Sequence, residues 1–332
     1  MKYIILGGTI FMKIAFFNLD DDEKKIINKN FINSELKFFN NSINKTDIEE
    51  FCDSEIICIC PKSNVNKMIL DKCKNLKYVI TRSTGIDHID SEYCKVKNIN
   101  IKNTTKYGGI TVAEYQFALI LNLIRKIKKA EERVENKSFL KNDLQGFELY
   151  GKTIGVIGCG NIGKNMVRIA NGFGINVLVY TRTIDNELSK KMNFKYVSLD
   201  ELYSESDIIS VNVPLTDETY HLVNEDAFNK MKKGVIFINT SRGKIVNTVD
   251  LIRAIENNKI GGVALDVLEG EKFLKGDFFD INNNQKQSVV ENLEKLLSFK
   301  NVIITPHNAY NTKEAVDRII YETIENIKSC FK

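Results

Sequence analysis

The chain has 332 residues, 43% hydrophobic and 27% charged, the make-up of a folded globular protein with room for two domains. Lys and Arg number 47 against 43 Asp and Glu, and the net charge of +4 is dispersed, with no basic block to suggest nucleic acid as a partner. The seven cysteines are odd in number, stand at no zinc spacing and are read as following no signal peptide, so reduced thiols in a cytoplasmic protein are expected, and no metal.

Residues 1–11, MKYIILGGTIF, read as a short extension, too short to span a membrane and with no helix placed after LGG to hold a phosphate. From Met12 a regular alternation starts. KIAFFN (13–18) reads as a strand and DDEKKIINKNF (21–31) as a helix with acids in its first turn. SEIICIC (54–60) reads as a buried strand, with Cys58 and Cys60 on one face. NVNKMILDKC (64–73) reads as a helix capped by Asn64. LKYVITRS (76–83) and INIKNTT (99–105) read as further strands. GGITVAEYQFALILNLIRKIKKAEERVENK (108–137) reads as one long helix, apolar early and charged late.

From Lys152 a second alternation begins. Strands are expected at TIGVIG (153–158), NVLVYT (176–181), DIISVNVP (207–214), VIFINTS (235–241), GGVALDV (261–267) and NVIITPH (301–307). Helices are expected between them at 161–174, 199–206, 224–234 and 247–260, and an amphipathic helix at 312–331 closes the chain. Strands separated by helices build parallel sheets, so the fold class is α/β with two doubly wound domains.

Gly158, Gly160 and Gly163 form G-x-G-x-x-G between a strand and a helix, the setting in which that motif binds a dinucleotide. The first Gly makes the tight turn, the second admits the pyrophosphate, and the third lets helix and strand pack. The helix N-terminus, with Asn161 and Ile162, offers amides to the phosphates. The next strand ends in Thr181, Arg182 and Thr183, where an acid normally binds the ribose 2′-hydroxyl of NAD. Losing the acid removes its repulsion of a 2′-phosphate, and Arg182 with two hydroxyls supplies donors, so NADP(H) is expected over NAD(H).

His307 lies just past a strand end, where active sites collect in open α/β sheets. An imidazole acts as an acid near neutral pH when a carboxylate stands beside it; Asp266, Glu269 and Glu271 are the candidates. Arg242, past another strand end, suits a bidentate carboxylate contact. His221 reads as a surface residue in a polar loop, and His88, beside a Gly turn, as either structural or pocket-lining.

The glycine motif, NTSRG (239–243), LDVLEGE (265–271) and TPH (305–307), in that order, resemble the D-isomer-specific 2-hydroxyacid dehydrogenases, nearest to the D-lactate dehydrogenase branch that includes the enzymes of vancomycin resistance. The likeness runs over nearly the whole chain after Met12 and includes TRSTGIDHID (81–90) and YGGITVAE (107–114). It implies a Rossmann-type coenzyme domain over 108–304 and a flavodoxin-like substrate domain built from 12–107 and 305–332. It implies that Arg242 binds the substrate carboxylate and keto oxygen, that Glu271 pairs with the acid–base His307, and that Glu269 is a bystander. It further implies that Thr84 and Gly85 hold the substrate carboxylate, that Tyr107 and Tyr310 wall the pocket, and that Asp266 bonds the nicotinamide carboxamide. Val213, Pro214, Thr219, Thr240 and Ser241 should line the cofactor.

The expected reaction is reduction of a 2-oxo acid, pyruvate or a close relative, by a homodimer joined through the coenzyme domain. A glyoxylate/hydroxypyruvate or phosphoglycerate dehydrogenase stays open, as does a non-enzymatic NAD(P)H-sensing corepressor. Departures from the family pattern are Lys272 after the catalytic Glu, Tyr115 where His is common, Asn311 where lactate enzymes often carry Tyr, and a long loop over 273–292.

Overall fold

Central strands here are buried along almost their whole length and edge strands are only half-buried, the pattern of parallel sheets covered on both faces. The computed structural model describes residues 12–274 and 283–331, so the extension over 1–11 lies outside the described residues. The strands are β1 Lys13–Phe17, β2 Glu35–Phe39, β3 Ile56–Ile59, β4 Tyr78–Thr81, β5 Asn100–Asn103, β6 Thr153–Ile157, β7 Asn176–Tyr180, β8 Lys195–Tyr196, β9 Ile208–Val211, β10 Val235–Asn239, β11 Ile260–Leu265 and β12 Val302–Ile304. The helices are α1 Asp21–Asn30, α2 Lys67–Lys72, α3 Ser91–Val96, α4 Gly109–Arg125, α5 Ile127–Glu135, α6 Asn161–Gly172, α7 Asn186–Met192, α8 Leu199–Glu205, α9 Glu225–Lys230, α10 Thr248–Glu256, α11 Asn283–Leu297 and α12 Lys313–Lys328.

Two units divide the chain, one within Met1–Tyr107 and Thr312–Lys332, the other within Gly108–Asn311. The first holds a five-stranded sheet in the order β2-β1-β3-β4-β5, all pairs parallel. That is the flavodoxin-like order. Alternation along β1 sends Ala15 and Phe17 into one core and Ile14 and Phe16 into the other, where α12 contributes Ile320, Ile324 and Ile327. The second unit holds seven parallel strands in the order β12-β11-β10-β9-β6-β7-β8. Strand order reverses at β6 and β9, which is where such sheets bind ligands outside the carboxyl ends of their strands.

Several local expectations change. The long helix over 108–137 is two helices, broken at Lys126, whose φ is +53°. Asn122 Oδ1 takes the Lys128 N–H at 3.1 Å and competes with the helical ladder there. Beyond the break no residue of α5 is buried, so packing gives no reason to continue the same axis. The cap of α2 is Asn66, which accepts from Ile69 N at 3.2 Å, and not Asn64. Val65 is held in an extended bridge to Ile89, so the helix cannot start before it. β2, unread in the sequence, forms because ELKFF pairs in register with β1. Within the long loop expected over 273–292, residues from Asn283 are helical.

The return to the first unit comes at 312 and not at 305. Residues 305–311 stay with the second unit because they are stitched to the end of β11. His307 N donates to Asp266 O at 2.8 Å, and Asn308 N and Ala309 N donate to the Asp266 carboxylate, each at 2.8 Å.

Candidate active site

The glycine loop between β6 and α6 has the geometry its sequence requires. Gly158 has φ +98°, and a Cβ there would stand 2.6 Å from Asn212 O. A Cβ on Gly163 would stand 2.0 Å from Gly158 O, so only Gly lets α6 approach the turn. A Cβ on Gly160 would meet nothing within 4 Å, which leaves space in front of the helix N-terminus. Gly160 is also the N-cap of α6 and brings no side-chain acceptor to the amides that follow at Asn161, Ile162 and Gly163. Open space and amides at a helix N-terminus fit a pyrophosphate. Burial raises the Cys159 thiol above its ordinary value, so this loop carries a neutral thiol.

At the end of β7, Thr181 is half-buried and Arg182 and Thr183 are exposed. Arg182 reaches Glu218 at 3.5 Å across solvent, with 78% and 74% of the two side chains exposed. Glu218 belongs to the loop after β9 that carries Val213 and Pro214. Thr219 closes that loop: its hydroxyl donates to Pro214 O at 2.6 Å and accepts from Thr216 N at 2.8 Å. Thr219, expected to line the cofactor, thus also shapes the loop that carries it.

Arg242 follows β10. Asn239, 1% exposed, holds the turn around it, donating from Nδ2 to Arg242 O at 2.9 Å and accepting from Ser241 N at 3.0 Å. Ser241 Oγ donates to Val211 O at 2.8 Å, so its hydroxyl ties β10 to β9. Gly243 allows the next close approach, because a Cβ on it would lie 2.0 Å from the Leu268 carbonyl carbon. The Leu268–Glu271 turn therefore rests directly on the turn that carries Arg242.

Of the three carboxylates considered for His307, the fold selects Glu271. His307 Nδ1 and Glu271 Oε1 are 2.8 Å apart, while Glu271 Oε2 accepts from Leu268 N at 3.2 Å. His307 Nε2 has no partner among the described residues. The imidazole is positioned by a backbone with φ +54°, a strained conformation held by the Asp266 contacts. Asp266 is 1% exposed and also takes the Thr305 hydroxyl at 2.5 Å. With three donors on its carboxylate it anchors the loop, a role the sequence reading did not give it.

Glu269 is not a bystander, and His221 is not a simple surface residue. His221 Nε2 lies 2.8 Å from Glu269 Oε1, each side chain about a quarter exposed, and the ring stacks on Tyr220 at 4.1 Å. Glu269 Oε2 also accepts from Thr248 N and Oγ1, at 3.4 and 3.3 Å. A second His–Glu pair thus flanks the first, on alternate residues of one turn. His88 is half-buried, with Nε2 2.9 Å from Thr81 Oγ1.

In the first unit, side chains hold the carbonyls of Thr84 and Gly85: Asn103 Nδ2 donates to the former at 2.6 Å and Ser83 Oγ to the latter at 2.8 Å. Their N–H groups meet no acceptor among the described residues. The Tyr107 carbonyl accepts from Arg318 Nε at 3.1 Å, and Tyr310, in the second unit, is 39% exposed. Among the described residues no helix is long and apolar enough to cross a membrane.

Comparison with known proteins shows the family and the fold. Residues 117–309 match the family model described as D-isomer specific 2-hydroxyacid dehydrogenase, NAD binding domain. The chain is 34% identical to the D-lactate dehydrogenase of Escherichia coli, covering 97% of each chain, and 38% identical to the aromatic 2-oxoacid reductase of Clostridium sporogenes, covering 82% and 81%. Its fold superposes on D-lactate dehydrogenase from Aquifex aeolicus, solved with NAD and lactic acid, with a TM-score of 0.86 at 35% identity, covering 96% and 95%.

Proposed function

The chain belongs to the D-isomer-specific 2-hydroxyacid dehydrogenases, oxidoreductases that use a nicotinamide cofactor, and from that premise we propose that it reduces pyruvate or a close 2-oxo acid relative with NADPH in preference to NADH. The observation that carries the chemistry is the 2.8 Å contact between His307 and Glu271. With Nδ1 engaged by the carboxylate, His307 is oriented to give its Nε2 proton to the forming hydroxyl oxygen. Glu271 balances the imidazolium charge. Arg242 takes the substrate carboxylate and stabilises the oxygen as negative charge develops on it. We assign the N–H groups of Thr84 and Gly85 to the same carboxylate, and Tyr107 and Tyr310 to the pocket walls.

The amides at the start of α6 hold the pyrophosphate, and Val213, Pro214, Thr240 and Ser241 border the cofactor. When bound, the reduced nicotinamide supplies the hydride that C2 accepts. Preference for NADPH rests on Thr181, Arg182 and Thr183. The exposed Arg182–Glu218 pair is held loosely enough for the guanidinium to turn to a 2′-phosphate. The Aquifex relative was solved with NAD, so the proposed preference rests on the residues at the end of β7 alone.

The same reading places a homodimer in the cytoplasm, where seven unpaired thiols stay reduced. The dimer would join coenzyme domains through the segment after α5, where Phe139 is 83%, Leu140 66% and Tyr150 79% exposed. Initial rates against glyoxylate, pyruvate, hydroxypyruvate, 2-oxobutyrate, phenylpyruvate and 3-phosphohydroxypyruvate, each with NADPH and NADH, test substrate and cofactor together. A best rate with phenylpyruvate or 3-phosphohydroxypyruvate removes the pyruvate reading, and a clear advantage for NADH removes the cofactor preference.

A further inference from the structure

Gln116 is a fully buried polar residue on an apolar face of α4. Ala113, Phe117 and Ile120 share that face, and Gln116 itself is 0% exposed. A buried primary amide needs partners for its oxygen and for both N–H groups. Gln116 Nε2 donates to Asn212 Oδ1 and to Thr240 Oγ1, each at 2.8 Å. Gln116 Oε1 accepts from the Ser210 hydroxyl. Asn212 Nδ2 donates in turn to Ser210 Oγ at 2.8 Å. Gln116, Asn212 and Ser210 therefore form a closed ring, each donating to one neighbour and accepting from the other, so that the bonds reinforce one another. The direction of the ring is set chemically. Asn212 Nδ2 also donates to the Ser210 carbonyl at 3.2 Å, so Asn212 cannot turn over without setting its oxygen against that carbonyl, and Gln116 turned over would set its own oxygen against Asn212 Oδ1.

The ring stands where the cofactor-binding loops begin. Ser210 is in β9, Asn212 lies one residue past its end, and Thr240 lies one residue past β10. The Asn212 carbonyl is also the group that a Cβ on Gly158 would strike, so the ring borders the glycine loop. Because Thr240 Oγ1 accepts from Gln116 and makes no other bond among the described residues, its own proton is left to donate.

We propose that Gln116 is a positioning residue for the dinucleotide: it sets the spacing of the loops after β9 and β10 and makes the Thr240 hydroxyl a donor towards the bound cofactor. This rests on the reading that the second unit binds a nicotinamide dinucleotide. The reduced nicotinamide fluoresces outside the range of the protein's aromatic side chains, so its emission reports binding directly.

The experiment is titration of the purified protein with NADH and with NADPH, alongside thermal melts by circular dichroism. Gln116→Met is expected to raise Kd about tenfold for both dinucleotides, and Thr240→Val by a similar factor. Because Gln116 acts through Thr240, the double variant should bind no worse than about the weaker single one. An unchanged Kd in folded Gln116→Met overturns the proposal, and so do losses that simply multiply. Should Gln116→Met fail to fold, Ser210→Ala opens the ring by removing the hydroxyl that donates to Gln116 Oε1 and accepts from Asn212 Nδ2. It is expected to raise Kd about threefold, and an unchanged value there overturns the proposal equally. If the unaltered protein binds neither dinucleotide, the cofactor-site reading fails instead.

Discussion

His307 and Glu271 stand 36 residues apart in the chain and 2.8 Å apart in the fold, each delivered by a turn past a strand end. Removing the Glu271 charge while keeping its shape isolates what that contact does. Glu271→Gln is expected to lower kcat for 2-oxo acid reduction by 10² or more, with the dinucleotide Kd little changed. Steady-state rates and a binding titration on the same preparation check it. A variant with near-normal kcat would remove Glu271 from the chemistry.

Gly243 joins the Arg242 turn to the turn bearing Glu271. A Cβ there would lie 2.0 Å from backbone at Leu268, so Gly243→Ala must push the two turns apart. Loss of about 2 kcal/mol of stability is expected, with a larger proportional loss of kcat than of cofactor affinity. Urea unfolding and kinetics measured together check both parts.

The pair of His221 with Glu269 supports the same turn from its other side. His221→Ala leaves Glu269 with only its long contacts to Thr248. About 1 kcal/mol of stability should be lost, with kcat reduced several-fold rather than abolished. A loss as deep as that of His307→Ala would show that His221 takes part in the reaction directly.

Cofactor choice should follow the end of β7. Arg182→Ala is expected to raise KM for NADPH about tenfold, which is about 1.4 kcal/mol, and to leave KM for NADH nearly unchanged. Thr181→Asp should restore an acceptor for a free ribose 2′-hydroxyl and repel a 2′-phosphate, reversing the preference. Equal effects on both cofactors would overturn the assignment.

Acid stability should reflect Asp53, which accepts from Lys13 and Lys37 at 2.8 Å each. The hydrogen bonds of these two lysines hold its carboxyl down at about 2, against the usual 3.8. A depressed folded-state value adds stability above the unfolded value, and that stability is lost as pH falls from about 4 towards 2. The three side chains are 28–41% exposed, so after screening the contribution is about 1 kcal/mol or less. Unfolding of Asp53→Asn and the unaltered protein at pH 6 and at pH 2.5 should show a gap that narrows in acid.

Much of this protein is written locally. Runs such as VIFIN and IISV, apolar at all but one position, declare central parallel strands, because a strand covered on both faces has no polar side. The turn at Gly158 and the packing at Gly163 were readable because each demands the absence of a side chain. The resemblance carried by NTSRG, LDVLEGE and TPH supplied the family. Residues whose neighbours are distant in the chain could not be read this way. Glu269 and Glu271 look alike in sequence, and only the path of the turn sends one to His221 and the other to His307. That Thr219 and Asp266 hold together the loops that carry them was likewise not legible, because their partners depend on how those loops fold. β2 is too mixed in composition to declare itself and exists through its pairing with β1. Gln116 left one faint signal, a polar residue on an apolar helical stripe. What it bonds was decided by tertiary structure, because its three partners, in β9 or just past the ends of β9 and β10, are 94 to 124 residues away. The sequence by itself determined where chain could turn and which faces were apolar; the fold decided which polar groups met, since a hydrogen bond depends on position in space and not on distance along the chain.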